Sequence, residues 1–203
     1  ITLDNDNGNN ALTIELTDSD VLASNLATIA SSTSVAVNGT AIGTIEGSLD
    51  NVKSVFNSGG VTLTVSGDTA VDADITNSTV VAADVKIVDT ATAGSVNINT
   101  ATSITGTAAD IATVMGSSGV SHVSGTLQAT TDTGSIDSAD LITIDNNSGR
   151  IVLASTASEI TGTETEIVAV IGRTSGIEIA GTTAATVNDG TASVSNVSTM
   201  SNG

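Results

Sequence analysis

Apolar residues along this chain come in short bursts of two kinds, and the kinds alternate. One kind repeats at i, i+3 and i+4: Ile111, Val114 and Met115, then Ile167, Val170 and Ile171. That spacing predicts a short helix with one buried face. The other kind alternates residue by residue, as in "GVSHVSG" after the first burst and "GIEIAG" after the second, and predicts a strand. I-T-G-T stands before each helical burst, beginning at Ile104 and at Ile160. Its threonines, Thr105 or Thr107 and Thr161 or Thr163, occupy N-cap positions. Asp110 and Glu166 fall in first turns, where the helix dipole favours an acid. Gly116 and Gly119, like Gly172 and Gly176, then end the helices.

The same unit recurs more loosely elsewhere. "IEGSLDNVKSVFNSGGVTLTVSG" starts at Ile45, with Val52, Val55 and Phe56 as its helical face and "VTLTV" as its strand. A variant, "ADVKIVDTATAGSVNIN" from Ala83, matches "ADLITIDNNSGRIVLAS" from Ala139. "SNLATIASSTSVAVNG" from Ser24 is an earlier relative and "SNVSTMSNG" from Ser195 a truncated later one. One anchor per unit gives Leu26, Val52, Val85, Ile111, Leu141, Ile167 and Val197, separated by 26, 33, 26, 30, 26 and 30 residues. Units too small to bury their own apolar face point to stacking on neighbours. The expectation is a single repeat solenoid over residues 1–203, about seven coils long. Each α/β coil would hold a short helix and short parallel strands, with sheets running the solenoid's length. A pure β-solenoid is the alternative.

The ends extend this expectation. The last unit stops where the others turn into a strand, and the chain opens with "ITL", a strand of that kind. Joining Gly203 to Ile1 preserves the spacing. The expected partner is therefore the chain itself, head to tail as a homopolymer, or flanking repeats of one longer chain. The absence of an initial Met marks it, on this reading, as a processed chain or a segment.

Composition narrows the chemistry. There is one Phe (Phe56) and no Trp, Tyr, Pro or Cys, so the apolar 39% is almost all small or branched aliphatic. Such side chains suit a thin, repetitive interior. Lacking cysteine, the chain has no disulfides, thiolate metal sites or thiol nucleophiles. Twenty-two acids against four bases (Lys53, Lys86, Arg150, Arg173) leave a net charge of −18. That repels nucleic acid and anionic membrane surfaces, and it suits a partner such as a divalent cation. No apolar run is long enough to insert in a bilayer.

The strongest ligand cluster is "LDNDNGNN" from Leu3. Asp4, Asp6 and Asn10, with Gly8 at the turn, resemble the opening of a calcium loop, which gathers hard oxygen donors in one tight turn; the plainer reading is an Asx/Gly turn between strands. Asp18 and Asp20, with Glu15, read as a helix start. His122, the only histidine, falls in the alternating strand "GVSHVSG" and reads as a strand residue rather than a triad member. Glu164 and Glu166 invite comparison with the paired carboxylates of glycoside hydrolysis. Their helical first turn, and the absence of aromatic sugar platforms, predict a capping role instead. A non-enzyme is expected.

The units "ITGTAADIATVMGSSGV" and "ADLITIDNNSG" resemble tandem repeats in giant extracellular, cell-surface proteins of cyanobacteria and other marine bacteria. The resemblance implies a secreted or surface location and a structural role, often with calcium. The expected function is thus a non-enzymatic subunit or segment of a filament, surface coat or stalk, assembled by end-to-end stacking of coils. The alternative is an adhesin or phage-fibre segment binding a surface or glycan.

Overall fold

The computed structural model describes residues 11–57, 60–62 and 70–190. The Asp4, Asp6, Gly8 and Asn10 cluster and the Val197 anchor lie outside them. The first elements in chain order are β1 (Asp20–Leu22), α1 (Ala23–Ser31), β2 (Val37–Asn38), β3 (Thr44–Gly47), α2 (Leu49–Asn57), β4 (Val61–Thr62) and β5 (Asp72–Ile75). There follow β6 (Thr79–Val81), α3 (Ala82–Ala91), β7 (Val96–Asn97), β8 (Ser103–Gly106), α4 (Ala108–Gly116), β9 (Val120–Ser121) and β10 (Gln128–Thr131). The last are β11 (Gly134–Asp137), α5 (Ser138–Ser148), β12 (Val152–Ala154), β13 (Ala157–Gly162), α6 (Glu164–Gly172), β14 (Ile177–Ile179) and β15 (Ala184–Val187).

The helices form where the apolar spacing predicted them. Ile111, Val114 and Met115 are buried on α4, Ile167 and Val170 on α6, and Val52 and Val55 on α2. Of the threonine alternatives, Thr107 and Thr163 are the caps: each hydroxyl accepts the backbone N–H three residues on, from Asp110 and Glu166. Asp20 does not start a helix. It opens β1, and α1 begins behind Leu22 with no side-chain cap.

Every named strand pair is parallel, and the strands sort into separate sheets ordered β1-β3-β5-β7-β9, β14-β12-β10-β8-β6, β11-β13-β15 and β2-β4. The chain divides into two compact units. Of the described residues, one unit holds those up to Asn77 with Ile87–Thr100 and Gly119–Ser121; the other holds Ser78–Lys86, Ala101–Ser118 and those from His122 to Gly190. The first unit contains the β1-to-β9 sheet and the β2-β4 pair. The second contains the remaining two sheets.

This arrangement overturns the expected repeat solenoid, α/β or pure β. Stacked equivalent coils would carry each sheet along the whole chain, whereas here no sheet does so, and each unit packs its own sheets through contacts between residues distant in sequence. The fold is α/β with separate parallel sheets. The filament, coat or stalk built by end-to-end stacking of coils loses its structural basis with the solenoid, as does the adhesin or phage-fibre segment that was its alternative. The reason is physical. Apolar periodicity reports which residues form a helix or strand, but strand pairing is decided by loops and by long-range burial.

Within the first unit, the β1-to-β9 sheet buries one face. Ile45, Ala73, Val96 and Val120 lie inward, side by side across β3, β5, β7 and β9. Because side chains alternate along a strand, the residues between them project to the other side. Threonine hydroxyls add hydrogen bonds between distant backbone segments: Thr100 donates to Ile75 O at 2.7 Å, and Thr92 to Val71 O at 2.6 Å. In the second unit Thr102 donates to Ser78 O at 3.1 Å and Thr183 to Ala157 O at 3.2 Å.

Candidate functional site: an acidic sheet face and the helix starts

The outward face of the β1-to-β9 sheet gathers acids. Glu46 on β3 stands directly opposite Asp74 on β5, and in the parallel row Thr44 separates Asp20 from Asp72. Neighbouring strands lie about 4.8 Å apart, so opposed side chains touch or nearly touch. Asp20, Thr44, Glu46 and Asp74, with Val21 and Leu22, line a shallow depression of about 220 Å³. Asp72 Oδ1 is already engaged, accepting the Ser95 backbone N–H at 2.7 Å. Among the described residues, no cation lies within ion-pair distance of Glu46 or Asp74. Lys53 pairs with Asp50, Lys86 with Asp110 and Arg173 with Asp145, and Arg150 donates to Thr126 O.

Two opposed carboxylates repel each other. A counter-cation relieves this, and a divalent ion could accept an oxygen from each while keeping most of its water. Among the described residues, no group of three or more His, Cys, Asp or Glu side chains converges as a metal cage. The face therefore offers a two-carboxylate bridge rather than a closed coordination shell. The pair leaves almost no mark in the sequence. Its local signal is only the alternation in "TIEG" and "DADI", and nothing in either stretch announces the other.

The helix starts use their acids differently. Glu166 closes a capping box on α6: its Oε2 accepts the Thr163 backbone N–H at 2.8 Å, while Thr163 Oγ1 accepts the Glu166 N–H. These bonds from Thr163 hold the Glu166 carboxyl below its usual range. The Glu164 backbone N–H is met by Asp189 Oδ2 at 3.3 Å. The Glu166 carboxylate thus serves the helix terminus. On α4, the hydrogen bond from Lys86, aided by Thr107, lowers the Asp110 carboxyl. Asp140 occupies the matching place on α5, but there the cap is Asp137 rather than threonine. Burial, reinforced by the Asp137 charge, pushes the Asp140 carboxyl up.

His122 lies just beyond β9, outside the strand expected to contain it. It is half-buried, and its Nδ1 has no hydrogen-bond partner among the described residues. Ser138 Oγ shares that lack, on a residue that is fully buried. Among the described residues, no helix is long and apolar enough to cross a membrane. Comparison of the chain with protein-family models, with curated proteins and with solved structures finds no match.

Proposed function

We propose that this chain is a non-catalytic protein of the cell exterior whose acidic sheet face collects divalent cations, calcium foremost. The observation that carries the reading is Glu46 opposite Asp74 with no described cation beside them. A net charge of −18 makes such repulsion general over the molecule and makes bound or screening cations part of its stable state. A bridge of two carboxylates and water belongs to the weak end of calcium binding, about 10⁻⁴ to 10⁻³ M, the range of extracellular modules. The non-catalytic part is supported by Glu166, one of the two glutamates that invited a catalytic reading, whose carboxylate caps a helix. The resemblance to giant extracellular bacterial proteins supports the location.

Thermal unfolding of the full chain in sodium chloride and in calcium chloride at matched ionic strength tests this. Calcium should raise the midpoint beyond sodium, and the excess should shrink in the Glu46→Gln/Asp74→Asn double variant. Equal midpoints in the two salts would discard the reading.

A further inference from the structure

A second surface, in the other unit, has different chemistry. A cleft of about 360 Å³ opens between α6, β14 and β15. Its walls are mainly aliphatic, with Ile160, Val170, Ile171, Ile177 and Ile179 prominent. Ile151 at its rim is 44% exposed. Beside the cleft runs β14, the last strand of its sheet: β12 pairs with one edge, and among the described residues nothing pairs with the other. An open edge presents a row of backbone donors and acceptors. An apolar trough next to it receives alternate side chains of whatever pairs there.

We propose that β14 is a docking edge for an extended segment of a partner protein, added in parallel as a further strand. The residues of β14 specify the segment. Ile177, Glu178 and Ile179 all border the cleft; Ile177 is buried and Ile179 half-buried, whereas Glu178 between them is exposed. A strand pairing with β14 would turn the neighbours of Ile177 and Ile179 into the same cleft and the neighbour of Glu178 to the solvent side. The occupant is therefore apolar, basic, apolar, its cationic side chain set against the Glu178 carboxylate. This surface is independent of the acidic face of the first unit.

The test is fluorescence anisotropy of the full chain with a labelled synthetic peptide carrying Val-Lys-Val between threonines. Binding is expected, with loss when alternate peptide nitrogens are methylated and loss in Ile179→Asp. Glu178→Lys, at an exposed position, should weaken this peptide on the order of threefold, the size of one cross-strand charge pair, and should favour a Val-Glu-Val peptide instead. Absence of binding overturns the proposal. So does binding that survives N-methylation, and so does indifference to the charge exchange, which would reduce the effect to general attraction by an acidic protein.

Discussion

Gly162 lies so close to Ser138 that a Cβ on the glycine would stand 3.1 Å from the serine's own Cβ. The same approach joins Gly47 to Ala23 at 3.2 Å and Gly106 to Ala82 at 3.5 Å. In each case the small partner is the first residue of a helix and the glycine ends a strand. Gly162 also has φ +153, a conformation side chains avoid. Gly162→Ala should therefore cost about 1–3 kcal/mol, read as a lower urea midpoint at unchanged slope. Gly181, where a Cβ would meet nothing within 4 Å, is the control: Gly181→Ala should stay within about 0.5 kcal/mol.

Ser138 itself is an exception among these partners. Ala23 and Ala82 start their helices with a methyl group, whereas Ser138 buries a hydroxyl that finds no partner among the described residues. Leaving a buried polar group unmet costs more than its removal. Ser138→Ala should stabilise the protein by about 1 kcal/mol in the same urea measurement, and a loss of stability would show that the hydroxyl is satisfied in solution.

Opposite shifts at matching helix positions predict opposite pH behaviour. Asp110 titrates below its usual range when folded, so its contribution to stability is present above the ordinary aspartate value and lost as pH falls through the folded value. Asp140 titrates above that range, so its contribution is present at lower pH and lost as pH rises through its folded value. Asp140→Asn should raise the melting temperature at pH 7 and change it little at pH 3. Asp110→Asn should lower it at pH 7, with the deficit narrowing in acid.

Arg173 donates to Asp145 and, at 3.0 Å, to Asn146 Oδ1. A Cβ on Gly176 would overlap Asp145 Oδ1, so the ion pair depends on the missing side chain three residues beyond Arg173. Gly176→Ala should destabilise the wild type and cost much less in an Asp145→Ala background. The coupling expected in that double-mutant cycle is about 0.5–3 kcal/mol; additive effects would mean that the carboxylate simply moves aside.

Local structure was legible in the sequence wherever the physics was local. The helices α2, α4 and α6 could be read from their apolar spacing, and each cap as one of two threonines, because helix burial and capping involve residues a few positions apart; Phe56 and Ile171, expected on the buried faces, are only half-buried. Pairing could not. Glu46 meets Asp74 across 28 residues, but Asp74 meets Asn97 across only 23. Loops absorb the difference, so no fixed period in the sequence names the partner of a strand. Strands as short as Val96–Asn97 and Val120–Ser121 also hold too few residues to show an alternation. The acidic face was invisible for that reason: it exists only in the register. The apolar cleft beside β14 was hidden likewise, since Ile160 and Ile177 meet there only through the packing of two sheets.

The ion pairs also bear on proteolysis. A protease that cuts after lysine or arginine finds just four such residues in this chain. Lys53, Lys86 and Arg173 are held by carboxylates and Arg150 by the carbonyl of Thr126. Lys53 and Lys86 lie inside helices, so cleavage there must wait for a segment to open, and where opening and closing are fast its rate follows the population of the open form. The lifetime of the molecule among such enzymes would then be a reading of its folding equilibrium.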